Sequence, residues 1–195
     1  MHAARIGLRA FVTYKFFNAL FTGISVGSIF IIYKPLQPSV YSLGGIALAL
    51  AMLGIARLYS RILNRTWFWR ISLAVEIVML LLVLFFLIFA YGYMNALVIY
   101  AGYQLTFAFG AFLVRAETIL IGRPKALTYL DVYKQLGYLA GMVIAYLFYE
   151  ILERGYAVTD GQMQVYLLHY LLLLTELAVL YYLYRAFHPR ERSLL

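Results

Sequence analysis

The sequence predicts an all-α fold, an integral membrane bundle of six transmembrane helices, on three observations. Of the 195 residues, 65% are hydrophobic and only 12% are charged, with a mean hydropathy of +0.86. Soluble domains average about 45–50% apolar and about 25% charged residues, and a chain of this size cannot hide so much apolar surface in one water-soluble core. The apolar residues are also gathered into six stretches, each close to the roughly 20 residues of helix that cross a bilayer core. Finally, the basic residues fall between these stretches and alternate in side.

The six spans are placed at about 11–33, 40–59, 67–90, 93–114, 129–149 and 163–184. The first is too long for the apolar region of a cleavable signal peptide and lacks its small-residue cleavage site, so it reads as a span. Pro35 and Pro38 close it and open the second. Arg65 and Thr66 separate the second from the third, and Gly92 interrupts the third and fourth. Gly122 to Pro124 parts the fourth from the fifth, and Gly155 to Gly161 forms the last turn. Every connection is short, so the whole chain, 1–195, reads as a single transmembrane domain with consecutive helices antiparallel.

Orientation follows from lysine and arginine. With the N-terminus inside, the cytoplasmic set is Arg5, Arg9, Lys15, Arg57, Arg61, Arg65, Arg70, Arg115, Arg123, Lys125, Lys134, Arg185, Arg190 and Arg192. That is fourteen of the 16 basic residues, and only Lys34 and Arg154 remain outside. The positive-inside rule then puts both termini, including the tail 185–195, in the cytoplasm. The expected location is a cell membrane, the bacterial inner membrane. A net charge of +8 distributed this way marks membrane rims, not a nucleic-acid surface.

Polar side chains inside spans are costly in hydrocarbon and so face protein or a water-filled cavity. In the first span Lys15, Asn18, Thr22 and Ser25 share one stripe, which reads either as a cavity lining or as a helix seam, since Gly23 and Gly27 allow close packing. The fourth carries Tyr100, Gln104 and Phe107 toward Arg115, with Glu117 on another side, where a rim salt bridge to an arginine is an equal reading. In the fifth, Asp131, Lys134 and Tyr138 follow one side. Asp131 and Lys134, three apart, can pair locally. Gly137 and Gly141 permit close approach of another helix. The sixth places His169 and Glu176 on one stripe, which reads as a proton relay or as two separately satisfied groups. Glu76, two turns into the third span, reads as an anchor for a basic residue of the 57–65 segment.

No catalytic set is visible, so the chain does not read as an enzyme. Cysteine is absent, which excludes disulfides and thiolate chemistry. Histidines 2, 169 and 188 have no metal-ligand spacing, and no nucleophile elbow or phosphate loop occurs. No cofactor or metal is expected.

The order of these features resembles one half of a major facilitator superfamily transporter, over nearly the whole chain. The segment Ala56-Arg-Leu-Tyr-Ser-Arg-Ile-Leu-Asn-Arg65 is similar to that family's GxLaDRxGRR loop at Leu58, Arg61 and Arg65, with Ser60 in place of the aspartate and Leu63 in place of the second glycine. Leu136-Gly-Tyr-Leu-Ala-Gly141 resembles its glycine-rich fifth helix, and Phe112-Leu-Val-Arg115 the end of its fourth. The resemblance implies two six-helix halves, with helices 1, 2, 4 and 5 facing the partner or the cavity and helices 3 and 6 outermost. An even number of spans lets two copies insert in parallel, so the partners expected are membrane lipid and a second copy of the chain.

The function this implies is a small-solute secondary transporter working by alternating access as a parallel homodimer. Its cavity would be lined by Lys15, Asn18, Thr22, Ser25, Tyr100, Gln104, Arg115, Lys134 and Tyr138. Possible proton-coupling groups are Glu117, Asp131, His169 and Glu176. The positive field of Lys15, Arg115 and Lys134 would favour an anionic or zwitterionic solute. Gly137 and Gly141 would supply the close contact between copies. The alternative is a non-transporting membrane scaffold subunit or assembly factor.

Overall fold

A computed structural model describes residues 6–189; His2, Arg5, Arg190 and Arg192 lie outside the described residues. The described chain is helical with no strand. Its helices are α1 (Leu8–Ser25), α2 (Ser28–Ile32), α3 (Pro38–Arg57), α4 (Tyr59–Ile62), α5 (Arg65–Phe89), α6 (Tyr93–Ala108), α7 (Gly110–Ile121), α8 (Pro124–Glu150) and α9 (Gly161–Phe187). A π-helical turn, Ile151–Gly155, extends α8.

Local chemistry sets the boundaries. Pro38 and Pro124 stand at the starts of α3 and α8, where their missing N–H is not needed. The Asn64 side chain accepts from the Trp67 N–H and caps α5, while the Asp160 carboxylate accepts from the N–H groups of Gln162 and Met163 and caps α9. Gly122, at φ 58, ends α7 in the left-handed conformation that a Cβ disfavours. The α5–α6 turn is held by Asn95, whose amide donates to the carbonyls of Phe89 and Tyr91. Tyr91 in that turn donates to the Gln162 carbonyl at 2.5 Å. Burial, followed by the nearby Asp160 charge, pushes the Tyr91 phenol up.

Five helices are long and apolar enough to cross a membrane: Pro38–Arg57, Arg65–Phe89, Tyr93–Ile121, Pro124–Gly155 and Gly161–Phe187. The expected first span is not among them. It is broken at Val26 and Gly27 into α1 and α2, and Arg9, Lys15 and Asn18 dilute the apolarity of α1. The two pieces nevertheless run the length of the bundle. Gly7 donates to the Ala186 carbonyl at one end, and Ile32 packs with Phe86 and Val165 at the other. Several helices exceed the expected spans, because α7 and α8 continue through the residues around 115–128 to within two residues of each other.

The core forms three layers between the ends. Phe11, Phe68, Phe112, Leu183 and Phe187 fill one end. Leu20, Ile24, Met79, Leu168 and Leu172 fill the middle. At the far end Ile32, Phe86, Ile99 and Val165 lie near a smaller group of Leu36, Ala96 and Tyr100. The Phe11 end is also where basic side chains gather. Arg65 donates to the Phe187 carbonyl at 2.6 Å, and Arg115 lies over the Tyr59 ring.

Helix α1 sits between α8 and α9, and at the glycines its contact with α8 is backbone to backbone. A Cβ added to Gly137 would collide with the Phe16 carbonyl oxygen, and one added to Gly141 with that of Leu20. The same Cβ on Gly141 would lie 2.9 Å from Gly23 Cα. The two glycines expected to serve contact between copies are therefore occupied within the chain. In lipid, where apolar burial gives little drive for association, such small-residue seams and polar contacts hold helices together. Helix α9, expected outermost, carries ten buried residues, whereas α3 carries none.

Candidate functional site

The polar stripe of α1 divides into two parts. Its first part is paired inside the bundle. Lys15, 9% exposed, reaches Glu117 of α7 at 2.5 Å and has the Phe11 and Tyr14 rings each 5.5 Å away. Glu117 thus pairs with a lysine of α1 rather than with an arginine. Such a buried pair survives in a low dielectric because each charge is matched and desolvated with its partner.

One turn on, Glu76 of α5 is 1% exposed. Its Oε1 accepts from the Tyr14 hydroxyl at 2.6 Å and from Asn18 Nδ2 at 3.0 Å. The expected anchor to the 57–65 segment is thus replaced by two residues of α1. Tyr14 and Asn18, four apart, share a face of that helix, so one carboxylate oxygen meets both. The other oxygen, Oε2, is buried and finds no hydrogen-bond partner among the described residues. Glu176 of α9 is equally buried, interacts electrostatically with Glu76, and has neither oxygen hydrogen-bonded.

The second part of the stripe lines a cleft of about 190 Å³ between α1, α5 and α6. Asn18, Phe21, Thr22, Ser25, Val26 and Ile29 form one wall, Val75, Glu76 and Met79 the floor, and Tyr103, Thr106 and Phe107 the other wall. Thr22 is exposed, and Ser25 and Thr106 are buried. Each hydroxyl proton is spent on its own helix. Thr22 donates to the Asn18 carbonyl at 3.0 Å, Ser25 to the Thr22 carbonyl at 3.1 Å, and Thr106 to the Tyr103 carbonyl at 2.8 Å.

The remaining sequence candidates lie elsewhere. Tyr100 is not on the cleft: it packs edge-on to Tyr33 and Tyr41 and donates to the Tyr41 carbonyl at 3.2 Å. Gln104 is half-buried, with its Oε1 unpartnered among the described residues. Arg115 is exposed and lines a shallow groove along α7 with Thr118. Lys134 lies 3.7 Å from Asp131, the local pair the spacing predicts. Tyr138 is half-buried on α8, where its carbonyl faces Gly23. His169 stacks on Phe86 with centroids 3.9 Å apart and bonds the Val165 carbonyl through Nδ1. A ring so engaged belongs to the packing of α5 against α9, and no hydrogen bond joins it to Glu176.

Sequence reading missed Tyr14, Tyr103 and Thr106 and gave Glu76 a different partner. The i, i+4 step from Tyr14 to Asn18 was the available signal. Among the described residues no group of three or more histidine, aspartate or glutamate side chains is arranged to hold a metal ion. Comparison with protein-family models, characterised proteins and solved structures returns no match.

Proposed function

We propose that the chain is a membrane subunit that binds a small solute in the α1/α5/α6 cleft and carries it across by alternating access, paired with a second copy. The observation that carries this reading is the cleft itself. It is a concave, mostly apolar site at mid-length of the bundle that carries Asn18, Thr22, Ser25, Glu76 and Thr106 on its lining, and polar groups inside a membrane commonly mark substrate pathways. Its volume is below the roughly 300–1,000 Å³ of drug-sized sites, which suits a solute of few atoms.

The pairing rests on different residues from those first expected. Lys15 and Asn18 are satisfied within the chain, and Gly137 and Gly141 are filled by α1. What supports a partner is the uneven burial of the long helices. The share of each span buried is 0% for α3 and 17% for α8, against 39% for both α5 and α9. The second and fifth spans are among those that the resemblance to a half transporter turns toward the other half. The same exposure favours the rival reading, a scaffold subunit docked through α3 onto a different protein.

Uptake of small solutes into proteoliposomes tests the proposal. Transport that is lost when Thr106→Leu fills the cleft, in a variant that melts like the parent, is the expected outcome. Co-purification with a stoichiometric foreign subunit, together with no flux for any solute, would select the scaffold.

A further inference from the structure

The polar atoms that face the α1/α5/α6 cleft share one chemical property. Back-bonding consumes the hydroxyl protons of Thr22, Ser25 and Thr106, so these oxygens present lone pairs. Asn18 directs one amide N–H to Glu76 Oε1, which leaves its carbonyl oxygen as an acceptor and its second N–H as a donor. Glu76 lines the floor, and its Oε2 is buried with no partner among the described residues. The site is thus rich in acceptors, its remaining donors being the second Asn18 N–H and the Tyr103 hydroxyl, and it suits a ligand that brings several donors.

Charge points the same way. Three carboxyl groups, Glu76, Glu117 and Glu176, are buried in this region against one buried lysine. Lys15 is committed to Glu117 at 2.5 Å. The unmatched acids are Glu76, which lines the cleft, and the buried Glu176, neither of whose oxygens is hydrogen-bonded among the described residues. Tyr103 from α6 also faces this region and is neutral, while Arg115 and Lys134 do not line the cleft. Phe21, Tyr103 and Phe107 supply aromatic rings on both walls, and ring faces attract cations where water is displaced.

From these observations we infer that the solute is a small organic ammonium or guanidinium ion, held by Glu76 as counter-ion, with its N–H groups donating to the acceptors of α1 and α6. The inference rests on the cleft being the solute site and replaces the anionic preference expected from the lysines. An unpartnered buried carboxylate is costly alone, and a bound N–H cation supplies both the charge and the missing hydrogen bond.

Four probes of similar size separate the contributions: n-propylammonium, tetramethylammonium, propionate and n-propanol, each titrated against the purified full-length protein at neutral pH. The readout is a saturable rise in Tm. Propylammonium should give the largest rise, tetramethylammonium, with charge but no donor, a smaller one, and propionate and propanol none. Glu76→Gln should weaken propylammonium binding roughly tenfold or more, as expected for loss of a charge-assisted hydrogen bond. If Glu76→Gln does not fold, Thr106→Val provides the second reading, since it removes an acceptor without touching the buried acids. It should lower affinity for propylammonium more than for tetramethylammonium. Propionate stabilising more than propylammonium, equal binding by Glu76→Gln, or no saturable shift with any probe would each overturn the inference. Failure of the transport reading is distinct: it would appear as saturable propylammonium binding, sensitive to Glu76→Gln, with no flux in proteoliposomes. Propionate binding that depends on Asn18 and Thr106 would keep the cleft as a solute site and reverse its charge preference.

Discussion

Replacing Gly141 with alanine tests how the first helix is held. At Gly137 and Gly141 helices α1 and α8 meet backbone to backbone. A new methyl group at 141 would collide with the Leu20 carbonyl oxygen and stand 2.9 Å from both Gly23 Cα and Ile24 N. All three obstacles are backbone atoms of one helix, so no rotamer change relieves them. Ordinary contact requires the helices to part by about 1 Å, which forfeits dispersion along the seam. Overpacking of this kind costs about 1–3 kcal/mol, and membrane helices have little hydrophobic drive to offset it. Gly45 and Gly54 of α3 serve as controls, because a Cβ at either meets nothing within 4 Å. There alanine should be neutral or stabilise by up to about 1 kcal/mol through helix propensity. Thermal denaturation in detergent, followed by circular dichroism, compares the three variants under one condition. Gly141→Ala should melt lowest and Gly45→Ala and Gly54→Ala at or above the parent. Equal melting of Gly141→Ala and Gly45→Ala would refute close α1–α8 packing.

Three further outcomes are expected. Lys15→Met should destabilise by about 3–5 kcal/mol by leaving the Glu117 charge buried and unpaired, and Lys15→Met combined with Glu117→Gln should recover most of that loss in a double-mutant cycle. Asn64→Ala should lower stability by about 1 kcal/mol through loss of the α5 cap, visible as a fall in Tm. Because the natural sequence has no cysteine, single cysteines at Arg61 and Arg123 should be labelled by an impermeant thiol reagent from one side of the membrane and a cysteine at Gln37 from the other, as an even number of crossings requires.

Sequence periodicity located the helices well where composition and breakers agreed. Pro38, Gly92 and Gly122 stand at or beside observed helix limits, and five of the six expected spans correspond to long apolar helices. The first span was misjudged as one uniform helix because summed apolarity conceals the break at Val26 and Gly27. Spacing along one helix also showed that Asn18, Thr22 and Ser25 share a face, and they line the cleft. It could not show what stands opposite. Glu76 and Tyr103 reach the same cleft from positions 58 and 85 residues beyond Asn18, a relation set by the packing of α5 and α6 on α1. The glycine pair in α8 illustrates the same limit. A small-residue seam is legible from sequence, but whether it faces its own chain or another is decided by which helix lies beside it.

The division of the α1 stripe bears on why ionisable groups stand in the interior of so apolar a bundle. Lys15 cannot serve as an open positive field, because withdrawing it toward the cleft would leave Glu117 unpaired in the core. Its pairing also fixes α7 against α1, with the Phe11 and Tyr14 rings beside the ammonium. Tyr14 then holds Glu76 Oε1, so the glutamate is oriented by the chain's own residues. One oxygen is fixed by Tyr14 and Asn18, and the other is buried with no hydrogen-bond partner among the described residues. Preorganisation of this kind lowers the ordering cost of binding, and it depends on Lys15 without exposing it. The paired interior and the acceptor-lined cleft are therefore consecutive parts of one support: Glu117 holds Lys15, the helix carrying Lys15 presents Tyr14 and Asn18, and these aim the one carboxylate that lines the cleft.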